Sequence, residues 1–325
     1  MPRKIEISHR TIVFTVLFLL FLWLLYIIRD IILEFFVALL IMAILDPTVT
    51  RLSRFKIPRA VSVLVVYILT IGVISLTIGA IIPPLVEQTA GFATGLPKYL
   101  GNLGVSRFIS DEIVRQLLNQ IGIIPAQALK IGISIFSNVL GVLTVLILAF
   151  YLLLTRDKLD EALGFFFGDD RKKEAIKLID VLEEKLGGWA RGELALMALV
   201  GVSTYFGLTL LGIPFALPLA LLAGLLEIVP YLGPTISAIP SVIIGLGISP
   251  VIGLAVAALY FLIQQVENYV FVPKVMEKSV GVSPIITLLS LAIGFRLAGV
   301  VGIVMSVPIV ISIQVLVKRY LLPKE

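Results

Sequence analysis

Glu227 stands alone in the sequence: residues 194–226 and 228–266 carry no Asp, Glu, Lys or Arg. An ionised group at the centre of a bilayer is unfavourable by ~2.5–3.5 kcal/mol on insertion scales, so such a residue faces a cavity, a partner or a pathway. Two readings stay open, a cation or proton site and a structural role as ion-pair partner or helix-end cap. Directly after it, Pro230-Tyr231-Leu232-Gly233-Pro234, with Pro240 beyond, removes backbone donors and opens the helix ladder. Irregular backbone at membrane depth is tolerated only inside protein or beside a water-filled cavity, where its carbonyls can hold a cation or a polar solute. A tight turn between two spans is the plainer alternative. A second polar group, Gln264, Gln265, Glu267, Asn268 and Tyr269, ends an apolar run. Helical spacing puts Gln264, Glu267 and Asn268 on one face, where they line a pathway or bond to a neighbouring helix. Arg296 is a lone cation in the last apolar stretch, suited to an anionic group or to Glu227 itself.

Enzyme chemistry finds little to work with. The only histidine is His9 and cysteine is absent, which excludes thiol chemistry, histidine-assisted nucleophiles and a multi-histidine metal site within one chain. No Gly-x-x-x-x-Gly-Lys phosphate loop occurs, and Gly168-Asp169-Asp170 lies in a charged loop rather than a span. The expectation is a non-enzyme without cofactor or metal. The net charge of +5 needs no nucleic acid, because basic cytoplasmic loops of membrane proteins give the same balance.

The elements that must position these residues are membrane helices. Hydrophobic residues make up 59% of the chain and charged ones 14%, with a mean hydropathy of +1.11. A soluble domain has about 25% charged residues. Residues 60–86 and 131–155 are also free of charge, and about 20 such residues cross the ~30 Å hydrocarbon layer as a helix. The fold class is an all-α polytopic membrane protein, in the inner (cytoplasmic) membrane, with the lipid bilayer as its first partner.

Charge asymmetry sets an expected topology. Apolar runs 11–28 and 31–45 are flanked by Arg3, Lys4 and Arg10 on one side and by Arg51, Arg54, Lys56 and Arg59 on the other. The positive-inside rule makes 11–45 a hairpin with Arg29-Asp30 outside. No Gly or Pro lies between Thr11 and Asp46, so a single long helix is the alternative. The basic start leads into a span rather than a removable leader. Residues 11–86 hold the N-terminal spans, with an outward span from Ala60 ending at Pro83-Pro84. Residues 87–130 are an extracytoplasmic segment, with an apolar face along Ile109–Ile124, and 131–154 return inward. Residues 155–193, dense in both signs of charge, form a cytoplasmic amphipathic helix with Ile176, Ile179, Leu182 and Leu186 on one face. Gly187-Gly188 is expected to end it, with Trp189 and Arg191 as interface anchors and Arg191 and Glu193 at a cytoplasmic mouth.

Residues 194–320 are the expected transport core. Gly212/Gly281, Leu222/Leu291, Glu227/Arg296, Gly233/Gly302 and Ser237/Ser306 share one offset, so two broken apolar segments recur in matching places. Parity makes 213–248 a hairpin dipping from outside and 282–317 one dipping from inside, the inverted arrangement of transporters around a midplane site. The expected architecture is about six full spans plus two opposed re-entrant hairpins, with both termini cytoplasmic; short full spans fit the same parity.

At these residues the chain resembles the autoinducer-2 exporter family of multipass membrane proteins. The resemblance covers nearly the whole chain. It rests on Trp189-Ala-Arg-Gly-Glu193, Glu227-Ile-Val-Pro-Tyr-Leu-Gly-Pro234 with Pro240, Gln264-Gln-Val-Glu267 with Pro273, Gly294…Gly299-Val-Val-Gly302…Pro308, and Asp46-Pro47 with Ile57-Pro58-Arg59. The family often has Gln where this chain has Glu193, which adds a carboxylate here. The resemblance implies a secondary transporter, working as a homo-oligomer, of a small polar solute such as autoinducer-2 or of a monovalent cation against protons. A passive pore or a membrane scaffold is the reading from another class.

Overall fold

The computed structural model describes residues 9–102, 139–230, 232–276 and 283–320. Within them the chain is helical: α1 (His9–Ile27), α2 (Arg29–Ser53), α3 (Arg59–Asn102), α4 (Val139–Thr155), α5 (Leu159–Leu210), α6 (Ala216–Leu226), α7 (Leu232–Ile248), α8 (Pro250–Val266), a π-helical stretch Glu267–Phe271, the short α9 (Val272–Val275) and α10 (Pro284–Tyr320). Among the described residues seven helices are long and apolar enough to cross a membrane, and α6 and α7 are shorter apolar helices. The all-α polytopic fold is what the charge-free runs dictate. Aliphatic side chains cover the outside of these helices, since lipid does not drive them inward.

The N-terminal hairpin is not formed. Ile28 is the single residue between α1 and α2. Its N–H bonds to the Leu24 carbonyl and its carbonyl accepts from Ile32, both at 3.0 Å, so the ladder bends without reversing. No residue of α1 is buried, as it would be if α1 lay along α2. The missing Gly or Pro is the reason: the long-helix alternative holds, and the hairpin argument for placing both basic flanks on one side falls with it. Likewise α3 does not stop at Pro83-Pro84 but continues to Asn102. Past the prolines it meets the start of α6, where Gln88 Oε1 accepts from the Leu217 N–H at 3.3 Å. The residue before α6, Phe215, has φ 63° and offers no side-chain cap, so Gln88 fills that role.

Helix α5 runs straight through Gly187-Gly188, correcting the expected break. A Cβ at Gly187 would run into the Ala43 carbonyl oxygen, so the glycine serves a close helix crossing rather than a helix end. Pro47 explains that carbonyl. It lies inside α2 and has no N–H to give Ala43, four residues back. Arg191 Nη1 supplies the missing donor at 2.7 Å. Trp189 is no interface anchor either; it is buried with Leu40, Leu186, Met305, Val307 and Ile311, joining α2, α5 and α10.

The motif Asp46-Pro47 meets Ile57-Pro58-Arg59 through Arg59. Its guanidinium holds Asp46 at 2.7 Å and Asp157 at 2.8 Å and donates to the Leu153 carbonyl at 2.9 Å, tying α2, α3 and the end of α4 together. One turn on, Arg156 pairs with Asp180 and Glu183 of α5. The face Ile109–Ile124 lies outside the described residues.

Candidate functional site: a buried carboxylate cluster

Two hairpins carry the sequence repeat. Helix α6 ends at Glu227, whose N–H still bonds to the Ala223 carbonyl at 3.2 Å. The chain then turns over Pro230, with the Leu232 N–H on the Pro230 carbonyl and the Gly233 N–H on the Val229 carbonyl, both at 2.8 Å. Gly233 returns so close that a Cβ would overlap the Leu226 carbonyl. Pro234 is buried in the first turn of α7, where its missing N–H leaves no partner stranded.

Helix α10 does the same. Ala298 (φ −144°, ψ 21°) and Gly299 (φ 58°, ψ −136°) leave the helical region, the second conformation favouring glycine. Beyond them Gly302 packs against Gly294, and Ser306 Oγ donates to the Ser290 carbonyl at 2.8 Å, a bond that requires the chain to have reversed. Gly233 and Gly302, and the buried Ser237 and Ser306, thus occupy equivalent places in two turns.

Three carboxylates converge beside the first turn. Glu227 is 3% exposed, Glu267 6% and Glu193 7%. Glu227 lies against Glu267, and Glu193 of α5 is close enough to both to act on them electrostatically. Gln264 Nε2 donates to Glu267 Oε2 at 3.2 Å, while Glu227 Oε2 is buried with no hydrogen-bond partner. No Arg or Lys pairs with any of the three among the described residues. Nor, among them, is any group of three or more His, Cys, Asp or Glu arranged to hold a metal ion. Glu267 is also the first residue of the π-helical stretch, an inserted distortion that often marks a functional position.

The other expected site residues fall elsewhere. Arg191 and Glu193 do not form one mouth: two positions apart on a helix they point about 200° from each other, Arg191 to the carbonyls of α2 and Glu193 into the cluster. Asn268 is exposed rather than sharing the Gln264–Glu267 face, and Arg296 is exposed without an ion pair to Glu227. Tyr231 lies outside the described residues. A separate buried pair, Ser241 Oγ and Tyr260 Oη at 2.8 Å, joins α7 to α8; sequence reasoning passed over both residues, because isolated hydroxyls in apolar helices carry no spacing signal.

A broken hairpin beside buried carboxylates that lack a basic partner among the described residues, in a polytopic helical protein, fits a membrane transporter. The family described as AI-2E family transporter matches residues 12–322, and the chain belongs to it. Among curated relatives, YrrI of Bacillus subtilis (strain 168), provisionally named a transport protein, is 25% identical over 310 residues, covering 91% of this chain and 88% of its own. YhhT of Escherichia coli (strain K12), named in the same provisional way, is 28% identical over 300 residues, covering 86% and 82%. The family points to a transporter rather than an enzyme.

Proposed function

We propose that this protein is a secondary transporter of the cytoplasmic membrane that exports a small polar solute, of the autoinducer-2 kind or a similar metabolite, using an ion gradient. One observation carries the reading: Glu193, Glu227 and Glu267 are buried together with no basic partner among the described residues, beside a broken helical turn. Buried like charges without a counterion are unfavourable unless a mobile cation compensates them. A scaffold has no use for such a cluster. The two hairpins are re-entrant and opposed, α6–α7 entering from outside and α10 from the cytoplasm, where Lys318 and Arg319 close its last turn. The chain works as a homo-oligomer, in keeping with the lipid-like, unburied surface of α1.

A sodium- or lithium-for-proton antiporter is the second reading, favoured by the same carboxylates. The test is a pH-gradient assay in proteoliposomes, wild type against Glu227→Gln, with Na⁺, Li⁺ and K⁺ added in turn. Cation-dependent proton movement lost in the variant supports antiport. Solute-dependent proton movement lost in the variant supports the exporter. Solute flux without any ion dependence leaves a passive pore.

A further inference from the structure

The carboxylate cluster has an internal order. Glu227 and Glu267 abut, Gln264 gives its one described hydrogen bond to Glu267, and Glu227 Oε2 is left buried and unpartnered. The groups facing this pair are Glu193 from α5, Gln264 from α8 and the turn after α6; the described ion pairs bring no cation to it from any packed element. Among the described residues no three acidic groups are arranged to hold a metal ion. Two adjacent carboxyls need only one proton between them to relieve their repulsion. Glu193 is the third carboxyl of the cluster and follows Gly192, against which the Met276 side chain and the Val275 carbonyl pack. Met276 therefore packs on α5 one residue before Glu193. The segment that carries Met276 begins at Glu267 itself, through the π-helical stretch.

We propose that the Glu227–Glu267 pair holds one shared proton as the coupling ion, and that Glu193, the third buried carboxyl beside it, takes that proton and returns it. This rests on the ion-coupled reading above and names its ion. The step is a proton transfer: the proton leaves the pair for the Glu193 carboxylate, Glu193 becomes a neutral acid, and the pair becomes doubly ionised. A hydrogen-bond-donating solute arriving at the turn stabilises the doubly ionised pair, so proton and solute occupy it alternately.

The experiment is labelling of the purified full chain with dicyclohexylcarbodiimide, which reacts with protonated buried carboxyls, and mapping of the adducts by peptide mass spectrometry. The proposal expects adducts on Glu227 or Glu267 near neutral pH that disappear as pH rises and do not respond to Na⁺, Li⁺ or K⁺ at fixed pH. Glu193→Gln removes a neighbouring negative charge, so it should move the labelling profile to lower pH, and Glu193→Asp should restore the wild-type profile. Loss of labelling on adding one of the three cations at fixed pH would mean that the pair holds a metal cation, overturning the proposal. So would absence of adducts from mildly acidic to alkaline pH. An unchanged profile in Glu193→Gln overturns the relay role of Glu193. Labelling needs neither gradient nor cargo. It can succeed where no transport is found, leaving a proton site without the proposed function, or fail where flux is driven by another ion.

Discussion

The hairpin at 216–248 and the hairpin of α10 share a backbone device and differ in everything around it. Both turn at a loss of helical geometry, both return with a glycine pressed on a carbonyl of the outgoing arm, and both bury a serine one turn later. The lone charge before each turn has opposite sign and opposite fate. Glu227 is enclosed by α5 and α8, and Arg296 is exposed. The first hairpin also takes its cap from α3 through Gln88, whereas the second is buried mainly along one side, by Trp189 and Leu40, with Ile285, Ile293, Phe295 and Leu297 open on the other. A repeated turn therefore does not imply a repeated site: the chemistry follows the packing, and among the described residues only the first turn has buried carboxylates beside it.

The largest effect should come from the carboxylates. Glu227→Gln and Glu267→Gln should each reduce ion-coupled flux at least ~10-fold, the equivalent of ~1.4 kcal/mol in the barrier. The double variant should be no worse than either alone, because residues that act as one unit are not additive. Flux in proteoliposomes measures this; two independent, multiplying losses would show that the two carboxylates do not share one ion. Next come the turn glycines. Gly233→Ala and Gly302→Ala each push a methyl group into a carbonyl, and overpacking of this kind destabilises by ~1–3 kcal/mol. Both should lower the thermal midpoint in detergent to a similar degree. Only Gly233→Ala should also change the cation response, since the same Cβ lies 3.2 Å from the Glu227 nitrogen.

How far the sequence foretold this division can be traced residue by residue. Glu227 announced itself by isolation in a charge-free run, and the paired turns by Gly233/Gly302 and Ser237/Ser306 at one offset. The convergence of Glu193 on Glu227 was not legible, because it depends on how α5 is rotated against α6 and α8, which its own residues do not state. Gly187-Gly188 was ambiguous for a physical reason: glycine serves a helix end and a close helix crossing equally, and the partner that decides, the Ala43 carbonyl freed by Pro47, lies far away in sequence. The π-helical stretch at Glu267 had no signature in the spacing of its neighbours. The absence of Gly or Pro before Asp46, by contrast, was direct evidence for the long bent helix.

Trp189→Ala sharpens the comparison from the structural side. Its ring fills the junction of α2, α5 and the returning arm of α10, and emptying such a place is unfavourable by ~3–5 kcal/mol. The midpoint of thermal unfolding should fall by more than in either glycine variant. Protein that stays folded at low temperature should keep its ion dependence, because the loss loosens the second hairpin and not the carboxylates. A changed ion preference at full folding would mean that the α10 dock transmits to the cluster.

The smallest effect should come from Arg296→Gln, and this substitution decides whether the comparison stands. Arg296 is exposed, in helix shortly before the Ala298–Gly299 turn, and pairs with no carboxylate among the described residues. Surface changes of this kind stay within about ±0.5 kcal/mol. The variant should match wild type in thermal midpoint and in the cation dependence of its flux. If instead coupling falls as far as in Glu227→Gln, then Arg296 closes on the carboxylate cluster in another state of the transport cycle. The two hairpins would then be halves of one site that meet in turn, with Glu227 and Arg296 as complementary charges at its two edges.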